Sequence, residues 1–321
     1  VIADNIYDRN LPISVQYFHC IVNGMLSFLG SVCHWFSATS YLVTSMLLLL
    51  FVTKYLKYIN PFYLCIINYK KIKMDFKNKN VVITGGSTGI GLATAKAFIH
   101  AGASVWITSR NADNLQKAST EINSSKLNTV VADTSDLAGI SILEKAVAES
   151  GNQIDVLFLN AGIAVFAPIE QVTEADFDAQ FNTNVKGHFF TLQKLLPYLA
   201  KGSSVLFTSS TVATAANLGA SVYSATKGAL NKIAQIAANE LIARNIRVNI
   251  ISPGPVKTEG FDKAVATEEA KDQLASATAL QRLGNPDEIA KTVLFLASDD
   301  ASFIVGTEIL ADGGYINYAL K

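Results

Sequence analysis

"NVVITGGSTGIGLATAKAFIHAG", Asn80 to Gly102, carries the decision about the fold. A short apolar run ends at Thr84 in a glycine-rich turn, and the chain then resumes with helix-like spacing of small, apolar and polar residues. The turn reads T-G-x-x-x-G-x-G, with Gly85, Gly89 and Gly91 at its glycine positions. Glycines permit a sharp reversal and let backbone N–H groups approach an anion at the positive end of a helix. Strand, glycine turn and helix in that order predict a pyrophosphate seat, which Ser87, Thr88 and Ile90 would share. Without its context the same turn is only a tight strand-to-helix connection.

Outward from this stretch the pattern repeats. "SVWITS", "NTVVAD", "DVLFLNAG", "SSVLFTSS", "IRVNIISPG" and "TEILADGG" read as short apolar strands, and helix-like segments separate most of them. Continuously apolar strands alternating with helices imply a sheet covered on both faces. The expected fold is α/β: a doubly wound Rossmann arrangement with a mostly parallel seven-stranded sheet, forming one domain from residue 74 to residue 321. Ligands of such folds sit at the carboxyl ends of the strands.

The end of the second strand, "SVWITSRN", narrows the choice of ligand. A site for NAD places Asp or Glu here to grip the ribose 2′-hydroxyl, whereas a 2′-phosphate needs a cation and excludes that carboxylate. Ser109 and Arg110 stand here with no acid. Arg110 can fork onto a phosphate, so NADP(H) is expected in preference to NAD(H); a plain surface arginine is the alternative.

"YSATK" sets Tyr223 and Lys227 four residues apart. On a helix such residues share a face. A free phenol titrates at about 10 and a free ammonium at about 10.4, so each alone is protonated at neutral pH. An ammonium beside the phenol oxygen is expected to draw the tyrosine toward the working pH and create a proton relay. An ordinary amphipathic helix can carry the same pair, so the decision falls to the rest of the chain.

Taken in order, "TGGSTGIG", "VVADTSD", "LNAG", "NVKG", "VLFTSS", "YSATK" and "ISPGPVKT" resemble the short-chain dehydrogenase/reductase family across essentially all of residues 74–321. The resemblance implies a catalytic tetrad of Asn184, Ser210, Tyr223 and Lys227. Tyr223 would be the proton donor, Lys227 would lower its pKa and hold the nicotinamide ribose, Ser210 would bind the substrate oxygen, and Asn184 would hold a water. It also implies that Asp133 contacts the adenine and that Asn160, Ala161 and Gly162 border its ribose. Pro253, Gly254, Val256 and Thr258 would border the nicotinamide and phosphates. Leu159 departs from the family, many members of which have asparagine there, and a polar contact is expected to be lost. Residues 259–284 resemble a substrate lid, and the helix that starts with "YSATK" resembles a subunit interface, so a homodimer or homotetramer is expected.

Residues 1–73 differ in character. From Asn10 to Thr53 there is no Asp, Glu, Lys or Arg, and "WFSATSYLVTSMLLLLFVT", Trp35 to Thr53, is long enough to span a bilayer. Lys54, Lys57, Lys70, Lys71 and Lys73 follow it, so the positive-inside rule would put the catalytic part in the cytoplasm. A second reading makes Met74 the natural start and the preceding residues a translation of upstream nucleotide sequence. Membrane partnership is expected only if this extension is real. Cys20, Cys33 and Cys65 all lie within it, without metal spacing, and no metal is expected. The chain carries 26 Lys and Arg against 26 Asp and Glu, which gives no electrostatic reason to expect nucleic acid.

The expected function is an oxidoreductase that moves a hydride between NADP(H) and a small-molecule carbonyl or secondary alcohol, acting as a ketone reductase. Two alternatives stand beside it: a regulator that binds NADP(H) without turnover, and a membrane-tethered reductase of lipid-derived ketones. The lid carries neither an aromatic cage nor a basic cluster, so the substrate is left open.

Overall fold

The computed structural model describes residues 74–317. The candidate span from Trp35 to Thr53, and with it the division at residue 73, lies outside the described residues. Among the described residues no helix is long and apolar enough to cross a membrane.

Seven strands form one sheet: β1 (Asn80–Ile83), β2 (Ser104–Ser109), β3 (Leu127–Val131), β4 (Ile154–Leu159), β5 (Leu199–Thr208), β6 (Arg247–Pro253) and β7 (Glu308–Ala311). Their spatial order is β3-β2-β1-β4-β5-β6-β7. Every pairing is parallel, so the sheet is wholly rather than mostly parallel. The chain winds from β1 to β3 on one side and then returns to place β4 on the other side of β1. That reversal opens a crevice at the carboxyl ends of β1 and β4.

Alternation along the strands builds two cores. Val82, Leu157, Leu159, Val205, Phe207 and Val248 face one side. There they meet α3 (Leu137–Ser150), α5 (Gly187–Leu195) and α6 (Ser221–Leu241). Val81, Ile83, Val105, Ile107, Val156 and Phe158 face the other side. They meet α1 (Gly89–His100), α2 (Ala112–Ile122) and α9 (Pro286–Ala297). Period-two burial on both faces is why these strands read as unbroken apolar runs. Phe98, Phe158 and Phe207 are fully buried, and truncating any one to alanine would cost about 3–5 kcal/mol.

The region after β4 departs from a simple strand-helix alternation. Helix α4 (Glu174–Phe181) passes through a wide π-type turn at Asn182–Lys186 before continuing as α5. Between β6 and α9, two short helices follow, α7 (Glu259–Ala264) and α8 (Glu268–Ser276), and neither buries a residue.

Candidate active site

The glycine turn occupies the crevice, and its geometry explains its composition. A Cβ on Gly91 would lie 2.2 Å from the Gly85 carbonyl oxygen and 2.7 Å from Asn160 Nδ2, so no side chain fits there. Gly85 adopts φ +63°, and a Cβ on it would stand 2.8 Å from Ala161 Cα. The turn is thus pressed against the loop that follows β4. Thr88 precedes α1 in extended conformation, and its side chain makes no capping hydrogen bond. Asn111, Asp136, Thr173, Thr258, Thr267 and Asn285 do cap their helices. Helix α1 therefore presents first-turn N–H groups that its own cap leaves unsatisfied, with no acidic residue in that turn. Steric clearance and free donors fit a dinucleotide pyrophosphate. Ser87 is buried, and Ile90 packs on the core beneath.

A polar staple holds the crevice open. Thr84 Oγ1 accepts from the N–H groups of Asn160 and Ala161 at 2.9 and 3.1 Å. Asn160 Nδ2 donates back to the carbonyls of Thr84 and Gly85, while the Thr208 hydroxyl donates to Asn160 Oδ1 at 3.1 Å. Asn160 thus ties together the ends of β1, β4 and β5. Thr258, the cap of α7, stands against the turn from the other side, its methyl 3.1 Å from where a Gly89 Cβ would be. Pro253 ends β6, Gly254 packs on Asp312, and Val256 is buried where its segment bridges Gly284.

At the rim of the crevice, Arg110 is exposed one residue beyond β2 and enters no ion pair among the described residues. Gly86, in the glycine turn, donates its N–H to the Thr108 carbonyl, which keeps the end of β2 beside the turn. Ser109 Oγ accepts from Asn111 N–H at 3.2 Å, and Asp133 is partly buried with its carboxylate accepting from Ser135 N–H at 2.9 Å.

Ser210, Tyr223, Lys227 and Asn184 come together near the carboxyl end of β5. Ser210 lies close enough to the Tyr223 phenol to influence its ionisation, whereas the neighbouring Ser209 is buried and directs its hydroxyl to the Lys227 carbonyl. Lys227 is 2 % exposed and donates from Nζ to the Thr208 carbonyl at 2.8 Å. Its ammonium lies 5.7 Å from the Tyr223 ring centroid. Asn184 is fully buried: Oδ1 accepts from Ile163 N–H at 2.9 Å, and Nδ2 donates to the Ile163 carbonyl and to Thr226 Oγ1. Thr226 in turn donates to the Tyr223 carbonyl at 2.7 Å. The π-type turn that carries Asn184 is thereby locked to the first turns of α6. Gly162 lies between the two groups, since a Cβ there would be 3.4 Å from Asn184 Oδ1 and 3.6 Å from Lys227 Nζ.

One electrostatic expectation is corrected. The spacing of Tyr223 and Lys227 suggested a phenol held below its ordinary value, but burial pushes the Tyr223 phenol up to about 12, and only the nearby Ser210 pulls against it. The ammonium is aimed at the Thr208 carbonyl rather than the phenol oxygen. Burial also brings Lys227 down to about 8. The pair therefore rests as a protonated phenol beside a cation close to losing its proton.

Several partners were not legible as functional. Thr84 and Thr208, each a polar residue closing an apolar strand, are the only hint the staple leaves in the sequence. His188, expected to serve packing or the surface, is buried, with Nε2 3.1 Å from the Leu159 carbonyl and Nδ1 3.3 Å from that of Thr183. His188 thus reaches the backbone at the strand end from α5. Phe166 packs edge-to-face on Tyr223 at 5.7 Å, and no motif marked it. Among the described residues no cluster of His, Cys, Asp or Glu could hold a metal ion.

A phosphate-seating turn at the strand reversal, with a tyrosine-lysine pair at the adjoining strand end, defines the class of dinucleotide-dependent oxidoreductases. Comparison with known proteins narrows this. The family described as Enoyl-(Acyl carrier protein) reductase matches residues 85–316. An oxidoreductase of Methylorubrum extorquens is 41% identical over 243 residues, spanning 74% of this chain and 98% of the relative. A 3-oxoacyl-[acyl-carrier-protein] reductase of Thermotoga maritima is 36% identical over 76% of this chain and 100% of its own. The crystal structure of a short chain dehydrogenase from Burkholderia cenocepacia in complex with NADP matches with a TM-score of 0.70 and 32% identity, covering 75% of this chain and 98% of that one. The chain belongs to the short-chain dehydrogenase/reductase family of oxidoreductases.

Proposed function

We propose that the protein is an NADP(H)-dependent reductase that interconverts a ketone and a secondary alcohol. The observation that carries the reading is the Lys227 ammonium held by the Thr208 carbonyl beside the Tyr223 ring, with Ser210 next to the phenol, at the carboxyl edge of the sheet. A nicotinamide held in the crevice supplies the hydride. Tyr223, with its phenol at about 12, is protonated at working pH and gives its proton to the carbonyl oxygen as charge develops there. Ser210 donates a hydrogen bond to the same oxygen and stabilises that charge. Lys227 supplies positive potential behind the phenol and a donor for the ribose, and Asn184 fixes the loop at Ile163 that flanks it. In the reverse direction the phenolate is the base, a form that burial disfavours.

Arg110 supports NADP(H) over NAD(H): it is an exposed cation without an ion-pair partner among the described residues, next to the turn, where a carboxylate would repel a 2′-phosphate. The NADP complex of the Burkholderia relative agrees with that choice. Exposed Phe189 on α5 and Ile236 on α6 support association into a dimer or tetramer through those helices. For residues 1–73, the uncharged run from Trp35 to Thr53 supports an anchor that leaves the catalytic domain in the cytoplasm. Fractionation of cells expressing the full chain tests it, since an anchored protein pellets with membranes.

The function is tested by following coenzyme absorbance with a panel of carbonyl compounds and with NADPH and NADH in parallel. Carbonyl-dependent oxidation of NADPH in preference to NADH is expected. NADPH binding without consumption across the panel would overturn the reading.

A further inference from the structure

We infer that the site selects uncharged ketones bearing a bulky apolar group, aryl above all, and that Phe166 is the residue that makes the selection; the inference rests on the reductase reading above. Phe166 is 42% exposed, yet its ring meets the proton-donating Tyr223 edge-to-face at 5.7 Å and 86°. One part of the ring therefore braces the phenol while the rest faces open space beside it. Hydrogen bonds trace a rim outward from this point. Ala167 donates its N–H to the Gly219 carbonyl at 2.9 Å, bringing the fully exposed Leu218 alongside. Asn217 donates to Tyr315 Oη at 3.2 Å, joining that loop to the segment after β7. Leu280, 60% exposed, donates its N–H to the Gly313 carbonyl at 3.2 Å and closes the circuit.

Phe166, Leu218 and Leu280 set exposed apolar side chains on this rim, among the polar Asn217, Gln281 and Arg282. Two of its flanking charged groups are already committed. Arg282 forks onto Glu288 at 2.9 and 2.7 Å, and the Asp312 carboxylate accepts from the N–H groups of Gly314 and Ile316. A thioester on coenzyme A or on a carrier protein brings phosphate charge to the mouth of its site and needs cations there. An aryl or branched alkyl ketone needs only apolar area and a ring edge, which Phe166 offers. The substrate class is read from this difference, although one similar protein reduces 3-oxoacyl groups on a carrier.

The test uses the full chain with NADPH and three probes: acetophenone, acetone and acetoacetyl-coenzyme A. For the wild type, kcat/KM is expected to be highest for acetophenone. Phe166→Ala is expected to lower the acetophenone-to-acetone ratio of kcat/KM by roughly tenfold or more, mainly through the KM for acetophenone, with Phe166→Leu in between. Melting temperatures and NADPH binding of both variants report on folding, and Phe166→Leu keeps an apolar side chain against Tyr223 should the alanine variant fail. An unmoved ratio in a folded variant, as expected if these side chains serve only subunit contact, overturns the inference. So does faster turnover of acetoacetyl-coenzyme A than of either ketone, which leaves the reductase reading intact. Inactivity toward all three despite NADPH binding counts against both readings together.

Discussion

Helix α1, at the phosphate end of the crevice, buries Gly91, Ala93, Thr94, Ala95 and Phe98, whereas α7 and α8, between β6 and α9, bury nothing. At the first end, backbone packs on backbone, with the contacts of Gly85 and Gly91 too close for any side chain. At the second, short helices are held by caps and ion pairs such as Lys271 with Asp262 and Glu268. The comparison separates two tasks. A pyrophosphate is the same in every reaction and can be met by fixed N–H groups, while a substrate is met by side chains on loops whose energy is small and whose sequence can change.

Substitutions at the boundary between the two ends should have the largest effect. Lys227→Met keeps the length of the side chain and removes its charge, and kcat is expected to fall by about 10²–10⁴. The pH dependence follows from the same group. Lys227 is held down to about 8, so it carries its charge below that value and loses it above. Reduction by the wild type should decline as pH rises through about 8, and the variant should lack that limb in a pH profile of kcat.

Next in size is the choice of coenzyme at the phosphate end. Arg110→Asp places a carboxylate where the 2′-phosphate is proposed to lie, and the NADPH-to-NADH ratio of kcat/KM should fall at least about tenfold. A preference that does not change would remove Arg110 from the site.

Gly91→Ala probes the rigidity of that end. The added methyl would meet the Gly85 carbonyl at 2.2 Å, so stability should drop by about 1–3 kcal/mol in denaturant titration, and NADPH affinity should drop with it. By contrast, Lys271→Ala should leave the denaturation midpoint close to that of the wild type, because its partners Asp262 and Glu268 are 43% and 80% exposed and such pairs are weak.

The smallest effect is expected at His188. Burial and the nearby Lys227 charge lower its pKa from 6.5 to about 3, so the fold holds it neutral while the unfolded chain can protonate it. A depressed histidine adds stability that is fully present above about 6.5 and is lost as pH falls toward about 3. His188→Gln should flatten the acid limb of a stability-versus-pH curve. An unchanged limb would show that other groups govern it.

Much of the fold was legible because its determinants are local. "SVWITS" marks β2 to the residue, and the apolar run before Thr84 marks β1. The start of β5 was not: it begins at Leu199, which pairs with Ile154 before a shift in register that the composition of "LAKG" does not reveal. The π-type turn was also invisible, since it differs from α-helix only in which carbonyl each N–H reaches. In the site, Tyr223 and Lys227 were found from spacing. Their electrostatics were not, because desolvation depends on what α5, α6 and the loop at Ile163 stack around them. Phe166 was missed for the same reason: it acts across a contact between segments far apart in sequence.

The central claim is that the Tyr223 phenol supplies the proton that accompanies hydride transfer. Its most direct test is single-turnover oxidation of bound NADPH by an accepted ketone, in the wild type and in Tyr223→Phe. The account predicts that NADPH still binds the variant while its oxidation slows by about 10²–10⁴. Oxidation at the wild-type rate in the phenylalanine variant would contradict it.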